Sequence, residues 1–327
     1  MKLLITGAAG QLGQAFVSAL KQRSDIEFVA CNRNDLDITN ANKLRQLITQ
    51  AEPDFVINTA AYTQVDLAES EMDKAYLVNQ TGAANLAQVC QQLDIPLLHF
   101  STDCVFDGKK QGAYTENDPT QALGVYGASK LSGEKAVQQF CTKYLIFRVS
   151  WLFSEFGHNF VKTMLDLGST REQLRVVSDQ AGKPTCAAEV VRVVLEILPT
   201  LYNEFDSELD SELDSESDKN LDRKWGIYHL AQPEVISWHG FAKAIFAQAI
   251  FAQAVINRDR LRVKEILPIP TTGYPTPAQR PANSELDSTK LQQTFGITLV
   301  GWQQSLAQTL SALELTESKN ETAQSDE

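Results

Sequence analysis

Residues 2–13 read "KLLITGAAGQLG", and the reading of that stretch decides the fold. A short apolar run, Lys2 to Thr6, ends at a glycine, and two more follow at three-residue steps, giving Gly7, Gly10 and Gly13. From Gln11 the apolar spacing becomes helical. Glycines at a strand-to-helix junction permit a tight turn and let backbone N–H groups approach a pyrophosphate. The helix N-terminus behind them adds its partial positive charge. Gln11 and Leu12 sit between the last two glycines and belong to the same cradle.

Outward from this turn, the first half of the chain alternates strand and helix. "EFVAC" (27–31), "FVINT" (55–59), "PLLHFST" (96–102) and "YLIFRVS" (144–150) are short runs rich in β-branched and aromatic residues. Helical patterns begin near Gln11 and Asn40 and run over about 71–93 and 124–140. Nearly continuous apolar strands alternating with helices imply a doubly wound parallel α/β sheet of Rossmann type. Past residue 151 the regularity fades, with helices expected at 158–167, 185–201, 237–256 and 302–314 and short strands at 175–179, 226–231 and 263–269. "LPIPTTGYPTPAQRP" reads as an extended, rigid loop. The expected organisation is a dinucleotide-binding domain over 1–150 and a smaller mixed substrate lobe over 151–315, with a discontinuous boundary between them.

Composition narrows the function classes. The formal charge of −12 argues against nucleic acid as a partner. The stretch 204–218 carries an acid at every second position, eight in all, and without them the charge would stand near −4. We expect this insert, 204–222, to be a disordered surface loop, and the polar end, 316–327, to be a frayed tail. A second repeat, "AIFAQ" at 244–248 and 249–253, rotates a helix by about 500°, so the two Ile-Phe pairs must face different ways. The longest apolar runs are too short for a membrane span or a signal peptide. Five scattered cysteines without a CxxC pair suit a reducing cytoplasm. No two of the four histidines have metal-ligand spacing; His99 and His229 fall in strands, His158 and His239 near helix starts.

The chemistry is expected at the carboxyl ends of the strands. The fourth ends in "STDCVFDG", placing Ser101, Thr102 and Asp103 at its tip, and "VYGASK" follows with Tyr126 and Lys130 four apart. On one helix these two share a face. A cation one turn away favours the phenolate and lowers the phenol's pKa from about 10. Tyr126 could then protonate a carbonyl oxygen as hydride arrives at its carbon, with Thr102 bonded to the same oxygen and Lys130 on the nicotinamide ribose. At the tip of the second strand, "CNRND" has no acid for the adenosine ribose. Arg33 could accept a 2′-phosphate, favouring NADPH over NADH, or could simply be solvated, so both cofactors stay open. Asp37 and Ile38 are placed to contact the adenine. Arg280, in the Pro-rich loop, could grip a diphosphate bidentately or form a surface ion pair. Trp302 reads as an anchor for the last helix.

The glycine spacing is similar to that of short-chain dehydrogenases, and further motifs are more specific. "GAAGQLG", "NTAAYTQVDLAESE", "STDCVFDG", "VYGASKLSGEKAV", "FRVSWLFSEFGHNFVKTML", "DQAGKPT" and "YPTPAQRPANSELD" together resemble the dTDP-4-dehydrorhamnose reductase family over residues 1 to 314. The resemblance implies reduction of the 4-keto group of dTDP-4-dehydro-L-rhamnose by NADPH or NADH, the last step in making dTDP-L-rhamnose for cell-surface polysaccharide. It implies Tyr126 as proton donor, Lys130 on the cofactor, and Thr102, Asp103 and Trp151 on the sugar nucleotide, with Ala61, Tyr62 and Thr63 beside the cofactor. Some members of the family are homodimers bridged by magnesium through glutamates, one near the start of the first helix. Residues 14–17 here read "QAFV", so the sequence supports neither that Mg2+ nor that dimer. Cys104 stands where the family usually has an aromatic residue and where the related 4,6-dehydratases carry a second acid. Dehydration is thereby disfavoured. A 4-epimerase and a non-catalytic NADP-binding regulatory subunit are the remaining alternatives, and "RPANSELD" argues against the first.

Overall fold

Strands apolar on both faces need helices on both sides of their sheet, and the chain supplies them. In the computed structural model, residues 1–210, 224–251 and 261–325 are described. Strands β1 (Lys2–Thr6), β2 (Glu27–Cys31), β3 (Phe55–Asn58), β4 (Leu97–Thr102) and β5 (Tyr144–Val149) pair in parallel. A sixth strand, Gly226–His229, joins beside β5, giving the order Gly226–His229, β5, β4, β3, β1, β2. β3 and β4 are buried along their whole length.

The helices are α1 (Gln11–Leu20), α2 (Ala41–Ala51), α3 (Val65–Ala68), α4 (Met72–Tyr76), α5 (Ala83–Gln92), α6 (Val125–Phe140), α7 (Phe160–Thr170) and α8 (Ala187–Asp210), followed by Trp238–Phe251, Thr289–Phe295 and Trp302–Ser325. Alternation along β1 sends Leu3 and Ile5 to one face, where Phe16 of α1 and Val190, Val194 and Leu198 of α8 cover them. Leu4 goes to the other face, under Leu44 of α2, Leu86 of α5 and Val137 of α6. A separate core joins Val161 of α7 and Leu174 to Phe241 and Ile245, and to Trp302 and Leu306 of the final helix. It lies beside a parallel pair, Gln173–Val177 with Glu265–Ile269. Trp302 anchors its helix through an indole N–H donated to the Glu234 carbonyl at 3.1 Å.

The main sheet draws its edge strand from residues 226–229 and much of one core face from α8, so both halves of the chain build it. Several expectations about individual elements need correction. The helix expected over 71–93 is interrupted by a π turn, Leu77–Gly82, between α4 and α5. The extra residue turns Asn79 inward, and Gly82 makes room for Ile38, whose Cδ1 would lie 2.6 Å from a Cβ there. α8 runs on to Asp210, taking up the first residues of the expected acidic loop; 211–223 lie outside the described residues. The tail forms helix as far as Ser325, since "ALELTESKNETAQS" lacks Gly and Pro and is rich in good helix formers. The Pro-rich segment is not uniformly extended: it opens as strand and tightens into a 3-10 turn at Thr271–Gly273. In the repeat, Ile245 and Phe246 are buried, while the side chains of Ile250 and Phe251 fall outside the described residues. No helix among the described residues is long and apolar enough to cross a membrane.

Candidate active site

The glycine turn between β1 and α1 is built by close backbone approach. Gly7 has φ +71°, and a Cβ there would lie 2.5 Å from the Ala60 nitrogen. A Cβ on Gly13 would come within 2.3 Å of the Gly7 carbonyl oxygen. Gly10 caps α1 without a side-chain bond, and the first turn carries no acidic residue, so its N–H groups stay open to an anion. Leu12 is buried in the core and can offer backbone only, whereas the Gln11 Nε2 is buried without a partner. An orphaned donor beside an uncapped helix start fits the pyrophosphate of a dinucleotide.

The tip of β2 is more open. β2 meets the glycine turn through Ala8 N–H donated to the Cys31 carbonyl at 3.0 Å, and Arg33 projects just beyond with its side chain 73% exposed. The nearest anion to Arg33 is Asp37, at 3.9 Å. Asp37 accepts from the Thr39 backbone and hydroxyl at 2.9 and 2.8 Å, and these bonds hold its carboxyl below the ordinary range. Ile38 is packed against Gly82. After β3 the chain passes through Ala61, Tyr62 and Thr63. Asn79 pins that segment, accepting from Tyr62 N–H at 2.8 Å and donating to the Tyr62 carbonyl at 3.1 Å and to Ser129 Oγ at 2.9 Å. π turns of this kind are frequent at functional sites.

The tip of β4 and the start of α6 bring Thr102, Asp103, Cys104 and Tyr126 together. Thr102 Oγ1 donates to Asp103 Oδ1 at 2.9 Å and accepts from Cys104 N–H at 3.2 Å. Burial pushes the Asp103 carboxyl up, against hydrogen bonds from Ser284 and Thr102. Burial likewise raises the Cys104 thiol to about 12, with the Asp103 charge adding to it, so Cys104 is an uncharged wall rather than a nucleophile. The expectation for Tyr126 is corrected here. Its phenol is driven well above its ordinary value, first by burial and then by its neighbours Cys104 and Asp103, beside which a phenolate is unfavourable. Lys130 does not offset this, because its Nζ donates to the Phe100 carbonyl at 2.6 Å. Burial brings Lys130 itself down to about 8, with Glu134 pulling the other way. At neutral pH the pair is a protonated phenol and a largely protonated amine: a proton source beside a cation.

A narrow, open cleft lies against Tyr126, walled by Cys104, Phe106, Gly124, Arg280 and Pro281. Arg280 crosses it to Asp66 at 2.8 Å, and Asp66 also accepts from the Ala278 backbone at 3.2 Å. Trp151, with φ +47°, stacks on Trp238 with ring centroids 3.5 Å apart and planes within 10°. A Cβ on Gly182 would lie 2.6 Å from the Trp151 ring, so the indole is held on both sides. His99 and His229 are buried core residues, and among the described residues no group of acids, cysteines and histidines could hold a metal.

Four contributors escaped the sequence reading. Asp66 and Glu69 are acids three apart in "VDLAESE"; Asp66 pairs with Arg280, and Glu69 accepts from Val125 N–H at 2.8 Å, capping the helix that carries Tyr126. Trp238 backs Trp151. Glu134 lies one helical turn past Lys130. Their spacing was the one signal, and acids on a helix face are ordinarily solvent groups.

Comparison with known proteins agrees with this geometry. The family described as "RmlD substrate binding domain" matches residues 1–315. A dTDP-4-dehydrorhamnose reductase of Aggregatibacter actinomycetemcomitans is 42% identical over 305 residues, covering 93% of this chain and 97% of that protein. A solved dTDP-4-dehydrorhamnose reductase from Clostridium acetobutylicum is 35% identical and superposes with a TM-score of 0.82, over 96% of this chain and 99% of that one. Another, from Bacillus anthracis in complex with NADP, is 34% identical with a TM-score of 0.80, over 94% and 98% of the two chains.

Proposed function

The chain belongs to the RmlD substrate binding domain family, that of the dTDP-4-dehydrorhamnose reductases, and from that premise we propose that it reduces the 4-keto group of dTDP-4-dehydro-L-rhamnose with NADPH or NADH to give dTDP-L-rhamnose. The observation that carries this reading is Tyr126 walling an open cleft beside Cys104 and Arg280, with Thr102 and Asp103 hydrogen-bonded to each other at the adjoining β4 tip, in a chain whose glycine turn fits a dinucleotide.

Gly7, Gly10, Gln11, Leu12 and Gly13 would hold the pyrophosphate, and Ala61, Tyr62 and Thr63 would line the path to the nicotinamide. Arg33, Asp37 and Ile38 would bound the adenosine end, where the unburied guanidinium of Arg33 suits a 2′-phosphate. Bound there, the cofactor supplies the hydride. Tyr126 holds its proton at neutral pH and gives it to the developing alkoxide, Thr102 donates to the same oxygen, and Lys130 keeps a positive charge nearby. Asp103 and Trp151 position the sugar, and Arg280 leaves Asp66 for the diphosphate. We assign the smaller lobe to the sugar nucleotide. Cys104, an uncharged thiol, supplies no second acid, which favours plain ketone reduction over dehydration. The five unpaired thiols suit a cytoplasmic enzyme.

The test is the fall of NAD(P)H absorbance on mixing with dTDP-4-dehydro-L-rhamnose. Oxidation coupled to dTDP-L-rhamnose is the expected result; no oxidation with either cofactor would sink the proposal.

A further inference from the structure

Lys130 is tied to the sheet through a second group that the reaction itself does not use. Its Nζ donates to the Phe100 carbonyl at 2.6 Å, and the next residue of β4, Ser101, donates its hydroxyl to Glu134 Oε1 at 2.5 Å. Two adjacent strand residues are thus bonded to two residues one turn apart on α6. Arg148 of β5 then clamps the same carboxylate from both sides, Nε to Oε1 at 2.9 Å and Nη2 to Oε2 at 2.7 Å. Both side chains are almost wholly buried, 3% and 0% exposed. Beyond Arg148, His229 on the edge strand stands 3.4 Å from Nη1.

A buried ion pair is a poor way to stabilise a fold. Desolvating two charges offsets most of their attraction, and well-packed apolar residues often do as well. Its place here, immediately behind the lysine of the site, gives it another use. We propose that Glu134, fixed by Ser101 and Arg148, is a positioning residue for Lys130, holding its ammonium at the Phe100 carbonyl and keeping it charged. This inference rests on the reductase reading above.

The titratable and charged groups around Lys130 are Tyr126 and Glu134 on its own helix and His99 on β4, with Asp103 and Cys104 at the β4 tip and Arg148 on β5 behind Glu134. His99 is buried and held neutral, first by burial and then by the charge of Lys130 itself. Glu134 is the neighbour that supports the charge of Lys130 against burial. Neutralising it should release the lysine's proton at lower pH.

The experiment compares wild type, Glu134→Gln, and the double variant Glu134→Gln with Arg148→Met, reading the pH dependence of kcat/KM and of NADPH binding by its fluorescence. We expect the alkaline limb of both profiles to move to lower pH by about one unit in the single variant. It should stay displaced in the double, which leaves no buried arginine unpaired. Restoration of the wild-type limb in the double would overturn the proposal, since Glu134 would then serve only to neutralise Arg148. A double variant that does not fold would overturn it too, because the pair would be needed by the fold itself. NADPH binding requires no sugar, so a wild type that binds NADPH yet leaves the sugar unreduced would count against the reductase reading alone.

Discussion

Tyr126 keeps its proton because its surroundings penalise the phenolate, and that makes its replacement informative. Tyr126→Phe removes the transferable proton while leaving the ring and the glycine cradle in place. Turnover should fall by roughly 10²- to 10⁴-fold with NADPH affinity unchanged; steady-state kinetics and fluorescence titration check the two parts. His229 poses a residue-scale question of stability. Its Nδ1–H donates to the Tyr114 carbonyl at 2.9 Å, so Nε2 is the bare nitrogen, facing the Arg148 guanidinium. Burial and then that guanidinium press its pKa down to about 3 from 6.5. The folded state therefore binds this proton less readily than the unfolded chain. The stability in question is present in full above pH 6.5 and drains away as pH falls from there toward 3. In His229→Gln, the fall of Tm between pH 6.5 and 4.5 should be visibly shallower than in wild type, and an identical slope would place the acid sensitivity elsewhere.

α6 is the element on which the site depends, and it sits where it does because two of its residues lack a Cβ. At Gly127 a Cβ would lie 2.1 Å from the Cys104 carbonyl oxygen, and at Gly133 it would lie 2.1 Å from that of Asn79. The helix is thus pressed against the β4 tip on one side and the π turn on the other. Gly127→Ala must push α6 outward, at a cost of about 1–3 kcal/mol from overpacking, and Tyr126 moves with it. A displacement of ~1 Å at reacting groups can cost roughly a hundredfold in rate, so both the urea midpoint and kcat should drop. At this scale the sequence was readable where its signals were local. The glycine turn, the five apolar strands and the Tyr126–Lys130 face all rest on spacing within a few residues. The π turn was not readable, since it follows from Asn79 reaching back to Tyr62, seventeen positions away. Nor was the state of Tyr126: spacing puts Lys130 beside it, but the Phe100 carbonyl takes the ammonium. Long-range partners decide such points, and no local pattern encodes them.

Two properties belong to the whole molecule. The first turn of α1 carries no carboxylate. EDTA should therefore leave both turnover and elution volume in gel filtration unchanged; a loss of either would reveal a metal held between copies. The second property is cooperativity. α8 and the strand Gly226–His229 come from the far half of the chain, yet they complete the core face over β1 and β4 and cover the edge of β5. A fragment ending at residue 150 would leave Phe100 and Phe147 without Tyr228 and the valines of α8, and would expose β5 as an open edge that invites aggregation. It should not fold. The intact chain offers a check of the same point, because all four tryptophans, Trp151, Trp225, Trp238 and Trp302, lie past residue 150. Their fluorescence reports mainly on the smaller lobe, whereas far-UV circular dichroism follows the helices of both. In urea the two signals should trace one coincident transition. If fluorescence changed first, the lobe would be unfolding from an intact sheet, and the shared strand and helix would be carrying less than their burial implies.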